Sequence, residues 1–160
     1  MKCRIAGEQD IEYIKGILDR NFDEVMSKFH SKSILEKFKA HNKREDLLKQ
    51  LNWKKVYVVE DDNGNIIATG AFANFGSKEK PKYSISNLYV IPEHHSKGIG
   101  KILFNALYEE AKSNHANSFH VPSSRNAVGF YEKMGFSVDM EQPEKDDEIT
   151  WMTMQLPSEL

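Results

Sequence analysis

The chain has one cysteine, Cys3, so no internal disulfide can form, and the expected setting is a reducing compartment, the cytoplasm. It has no run of eighteen apolar residues, which excludes a transmembrane helix. The opening Met1-Lys2-Cys3-Arg4-Ile5-Ala6 lacks the apolar stretch of a secretory signal. It also lacks a basic excess: 22 Lys and Arg face 24 Asp and Glu, a formal net charge of -2. That balance argues against a general nucleic-acid binder, and no membrane partner is expected. There is no internal repeat, low-complexity tract or Pro/Gly/Ser-rich linker. The 160 residues, 39% hydrophobic and 11% aromatic, therefore read as one folded domain over 1–160.

Charge is unevenly spread. Residues 26–55 hold nine basic and three acidic side chains, whereas 139–148 holds Asp139, Glu141, Glu144, Asp146, Asp147 and Glu148 against Lys145. Both stretches fit solvated surfaces, and the acidic one also fits a rim that draws in a cationic substrate.

The apolar pattern predicts the elements. Lys2 to Ala6 is a short strand, and Ile11, Ile14, Ile17, Leu18 and Val25 follow helical spacing behind Asp10 as N-cap. Ile34, Leu35 and Phe38, then Leu47, Leu48 and Leu51, suggest one or two short helices. Val56 to Glu60 and Ile66 to Phe75 flank Asn63-Gly64, a hairpin turn in which both residues tolerate positive φ. In the strand Tyr83 to Ile91 the apolar positions change phase near Ser86-Asn87, as a β-bulge would make them. A long helix begins near Gly98, a strand runs from Ser118 to Val121, and a helix through Phe130 and Tyr131 stops at Gly135. Phe136 to Met140 and Ile149 to Leu156 close the chain as strands. The order is that of an α/β domain with a central mixed, mostly antiparallel sheet flanked by helices. Trp53 and Trp151 read as packing residues.

The most informative stretch is Val90-Ile91-Pro92-Glu93-His94-His95-Ser96-Lys97-Gly98-Ile99-Gly100-Lys101. A strand ends, a polar turn follows, and two glycines open an amphipathic helix whose first amides lack internal partners at the positive end of its dipole. With Lys97 and Lys101 nearby, this is a site for a pyrophosphate. It is not a P-loop, since His95 and Ile102 stand where Gly and Ser or Thr are required. Nor is it a dinucleotide fingerprint, since Leu103 stands at the third glycine. His94, His95, His115 and His120 lack metal-ligand spacing, and no metal is expected.

About thirty residues downstream lies Asn126-Ala127-Val128-Gly129-Phe130-Tyr131-Glu132-Lys133-Met134-Gly135-Phe136. Together with Leu88-Tyr89-Val90-x-Pro92 and the Gly-x-Gly turn, it resembles the GNAT superfamily of acyl-CoA-dependent N-acetyltransferases. The resemblance is sharp from Tyr83 to Phe136. It implies a GNAT-like domain that uses acetyl-CoA as acyl donor and a small-molecule or peptide amine as acceptor, and a homodimer is possible in such a family. It implies that the amides of Ser96, Lys97, Gly98, Ile99, Gly100 and Lys101 cradle the pyrophosphate, with His95 where the family usually has Arg or Gln. Leu88, Tyr89 and Val90 would pair with the pantetheine arm, and the Val90 amide would polarise the thioester carbonyl. Asn126 would bond the same arm, and Tyr131 would give a proton to the leaving thiolate. The strand before the turn offers Ser84, Ser86 and Asn87 in place of the carboxylate that many relatives use as base, which leaves His120, a water chain or another acid for that role.

Two other functions fit parts of the sequence. A non-catalytic acyl-CoA-binding module would be marked by binding without turnover. A protein whose basic 26–55 segment contacts a partner would be marked by salt-sensitive binding to polyanions.

Overall fold

The computed structural model describes residues 1–157. One seven-stranded sheet has the order β1-β2-β3-β4-β5-β7-β6, with β1 at Lys2–Ile5, β2 at Lys55–Glu60, β3 at Ile66–Asn74, β4 at Tyr83–Val90, β5 at Ser118–Ser123, β6 at Ser137–Val138 and β7 at Thr150–Gln155. Every neighbouring pair is antiparallel except β4 and β5, which run parallel. The helices are α1 (Ile11–Glu24), α2 (Lys32–Ala40), α3 (Arg44–Gln50), α4 (Ile99–Ser113) and α5 (Val128–Met134). Among the described residues no helix is long and apolar enough to cross a membrane.

Strand alternation decides which helices cover which face. Val58 points into a cluster with Ile11, Ile14, Leu18 and Phe22 of α1, while its neighbour Val59 packs on Ile99 and Leu103 of α4. Burial of each such side chain stabilises the fold by about 1.5–3 kcal/mol. β3, an interior strand between β2 and β4, is buried on both faces over most of its length. A second cluster under α4 and α5 gathers Phe72, Ile85, Leu107, Phe119, Phe136 and Met152.

The phase change in β4 is a bulge. Ala71 faces Ser86 but Thr69 faces Tyr89, so β4 carries an extra residue there, and Asn87 takes a positive φ of 49°. As a result Ile85 and Leu88 both lie on the α4 side.

Three local expectations need correction. Asp10 stands at the N-cap position of α1 but makes no side-chain capping bond there: its buried carboxylate accepts from the Gly7 amide at 2.8 Å and pairs with the Arg4 guanidinium at 2.8 Å. The β2–β3 hairpin exists, but only Gly64 is at positive φ, and Asp61 organises the turn by accepting from the amides of Asn63 and Asn65. β6 is only two residues long, because the Gln142 side chain replaces the rest of it. Its Oε1 accepts from Trp151 N at 2.7 Å and its Nε2 donates to Trp151 O at 3.1 Å.

Candidate active site

A single parallel rung, Ser84 opposite His120, joins β4 to β5. Beyond it the two strands diverge, and the last residues of β4 have no ladder partner on that side. Ile91 N donates to Ile67 O at 2.9 Å and Tyr89 faces Thr69, so antiparallel alternation turns the N–H and C=O of Val90 away from β3 into the gap. The Val90 carbonyl is held there by Asn21 Nδ2 at 2.9 Å and by His95 Nε2 at 2.8 Å. Asn21 is a buried residue on the apolar face of α1, and its amide also donates to Ile17 O at 2.9 Å.

The gap opens into a cleft of about 630 Å³. Its walls bring together Leu88, Tyr89, Val90, His95, Ser96, Gly98, Ile99, Gly100, Lys101, Asn126 and Tyr131, predicted from positions up to 43 residues apart in sequence. Lys97 is the exception; its ammonium turns toward His94 Nδ1 at 3.4 Å. Lys133, on α5, joins Lys101 in the lining.

The glycine turn has the shape its sequence demands. Gly98 sits at φ 81° as N-cap of α4, and Ser96 is also left-handed at φ 64°, a conformation that costs a non-glycine residue about 1–3 kcal/mol. A Cβ at Gly98 would meet open space, so the glycine serves the backbone angle. At Gly100 a Cβ would lie 3.1 Å from the Phe130 ring, so that glycine serves the contact between α4 and α5. The first α4 amides face the cleft without helical partners and fit a pyrophosphate.

Tyr131 is 4% exposed and packs edge-to-face on Phe130 and Phe136. Burial, and after it the neighbouring Tyr89 hydroxyl, push its phenol well above the ordinary value, so it stays protonated. Its hydroxyl makes no hydrogen bond among the described residues, yet it is not a sealed, unsatisfied atom, so it opens onto the cleft. Asn126, exposed in the short turn Arg125–Ala127, also has an uncommitted side-chain amide.

The adjoining corner is pinned by a buried histidine. Arg125 N donates to His30 Nε2 at 3.1 Å, so the His30 proton sits on Nδ1 and points to Glu148 Oε1 at 3.1 Å. Glu148 also accepts from Ser31 N at 2.9 Å. Burial holds His30 below its usual pKa despite Glu148, so the ring is neutral.

His120 does not face the cleft as a base would. Thr153 Oγ1 donates to Asp139 at 2.6 Å and therefore accepts from His120 Nδ1 at 3.0 Å. The Nε2 lone pair is left to the Ser118 hydroxyl at 3.0 Å. Ser118 precedes His120 on a strand parallel to β4, so that lone pair points to the end opposite Val90. Among the described residues no three His, Cys, Asp or Glu side chains group as metal ligands do.

The model of the acetyltransferase (GNAT) domain family matches residues 21–158. The chain belongs to the GNAT acetyltransferase family, whose acyl donor is acetyl-CoA. Solved structures repeat the fold. PaiA N-acetyltransferase from Thermoplasma acidophilum, solved with coenzyme A, is 20% identical over 98% of this chain and 100% of that one, with a TM-score of 0.78. A GCN5-related N-acetyltransferase from Rhodopseudomonas palustris is 18% identical over 97% and 95%, with a TM-score of 0.79. A ribosomal-protein-alanine N-acetyltransferase from Brucella melitensis is 19% identical over 98% and 100%, at 0.69. No curated protein matches the chain.

Sequence reasoning missed Asn21 and the second role of His95. The available signal for Asn21 was a polar residue at a position of the α1 apolar stripe, three after Leu18.

Proposed function

We propose that this protein transfers the acetyl group of acetyl-CoA to a primary amine by direct attack within a ternary complex. One observation carries the reading: an unpaired strand end, a phosphate-fitting helix start and an uncommitted phenol share one cleft. The α4 amides and Lys101 would hold the pyrophosphate, and the exposed edge of β4 would take the pantetheine arm as an added strand. The Val90 N–H would donate to the carbonyl oxygen as negative charge develops on it, a type of interaction worth about 3–4 kcal/mol of barrier. Tyr131 would protonate the departing thiolate. PaiA, solved with coenzyme A, supports the donor assignment by fold.

The first test is thermal unfolding with acetyl-CoA, using NAD and ATP as controls. At 100 times its Kd the ligand adds about 2.7 kcal/mol of apparent stability. A shift with acetyl-CoA alone, followed by thiol release with a panel of amines, is the expected result. Binding without release by any amine would instead identify a non-catalytic acyl-CoA module.

A further inference from the structure

On the α1 side of the sheet, the apolar cluster under α1–α3 draws on β2, β3 and β4 and not on β5 or β7. In place of a helix the remaining half carries a row of aromatic rings. Phe75 stands edge-on to Trp53 at 5.8 Å and to Trp151 at 6.1 Å between centroids. Trp53 is 53% and Phe75 40% exposed, far more than packing residues require. Lys54 Nζ lies 4.8 Å from the Trp53 ring and 5.6 Å from Phe75, and Lys82 Nζ lies 3.7 Å over Trp151.

Neither lysine has an ion-pair partner among the described residues. Lys54 is mostly buried and spends two of its three donors on neutral oxygens, Ser86 Oγ at 2.8 Å and Gln50 Oε1 at 3.2 Å. A buried ammonium without a counter-ion is costly, and burial alone pulls Lys54 down to about 8. Ser86 is four residues from Val90 along β4, about 13 Å from the strand end where the acetyl group would lie. With a contact of about 3 Å at each end, a small molecule whose amine and carboxylate stand about 7 Å apart spans that distance.

We propose that this row is the acceptor subsite and that it selects an amine that also carries a carboxylate, the carboxylate meeting Lys54 and the apolar body lying on Trp53, Phe75 and Trp151. The proposal rests on the acetyl-transfer reading above. The two cations also disfavour the protonated form of a nearby amine, which favours the neutral nucleophile where β4 offers no carboxylate.

The test compares an aromatic amino acid whose ring separates amine from carboxylate, 4-(aminomethyl)benzoate, with benzylamine, by thiol release from acetyl-CoA. Expected is a kcat/KM at least about tenfold higher for the amino acid, the worth of one hydrogen bond to a charged group. In Lys54→Met that ratio falls toward one, and in Lys54→Arg it is kept. Equal rates for the two amines, or an undiminished ratio in Lys54→Met, overturns the proposal. The only tryptophans are Trp53 and Trp151, so their fluorescence reports binding of the same amino acid without turnover. Binding that Lys54→Met abolishes, with no thiol release from any amine, keeps the subsite and rejects acetyl transfer. No fluorescence change with the amino acid, alongside thiol release from other amines, rejects the subsite and keeps acetyl transfer.

Discussion

At the scale of single residues, the uncommitted Tyr131 hydroxyl separates binding from chemistry. Tyr131→Phe removes no hydrogen bond within the fold, so stability stays within about 0.5 kcal/mol. Turnover should fall about 100- to 10,000-fold while acetyl-CoA binds as before. Calorimetric titration alongside a thiol-release assay checks both halves, and an unchanged kcat removes Tyr131 from the mechanism. Asn21 acts on the cleft indirectly. Asn21→Leu strips one of the two donors from the Val90 carbonyl and should cost about 1–3 kcal/mol in a urea titration, with weaker acetyl-CoA binding. Unaltered affinity would mean that His95 alone sets the strand end. Lys54 works the other way. The fold penalises its charged form, and the penalty is fully present below its folded value of about 8 and fades as pH rises toward the unfolded value. Lys54→Met should therefore stabilise the fold at pH 7 by on the order of 1–3 kcal/mol, seen as a higher Tm, with the gap over wild type closing above pH 10. A lower Tm at pH 7 would show that the bonds to Ser86 and Gln50 outweigh the desolvation.

At the scale of elements, the glycine turn ties conformation to ligand. Gly98→Ala places a Cβ at φ 81° and should destabilise by about 1–2 kcal/mol, and any relaxation of the turn moves the first amides of α4 and weakens acetyl-CoA binding. Equilibrium unfolding and ligand titration of this variant test the link; lost stability with intact affinity would break it. These elements show what the sequence discloses and what it hides. The β4 bulge was readable because a phase change is a local pattern, and the cleft residues because their motif is local to a strand, a turn and two helix starts. The β2–β3 turn was readable as a hairpin but not as an Asp61-centred one, since that depends on where a carboxylate folds back. β6 looked longer in sequence because Gln142, a side chain, occupies ladder positions that backbone would otherwise fill. Asn21 and Lys54 were invisible for a common reason: their partners lie 69 and 32 residues away and are chosen only when helix and sheet dock. The aromatic row hid in the same way, since Trp53, Phe75 and Trp151 come from three separate segments.

At the scale of the whole molecule, His30 clasps the α1–α2 corner to the β5–α5 junction and to the acidic segment. Its folded pKa lies below the unfolded value near 6.5, as does that of His120, so the unfolded chain takes up protons first. Stability is held above pH 6.5 and lost as pH falls below it. Glu148, also depressed, adds a second loss below about pH 4.5. The urea midpoint should drop between pH 7.5 and 5.5, and His30→Asn should flatten that slope; an equally steep slope in the variant would place the titration elsewhere. The single rung between β4 and β5 has a different consequence. It divides the sheet into a four-strand and a three-strand raft that share almost no ladder. A pantetheine arm laid along β4 would act as mortar in that seam. Ligand should then slow amide hydrogen exchange not only at Val90 but across both rafts, turning two units that open separately into one that opens only as a whole.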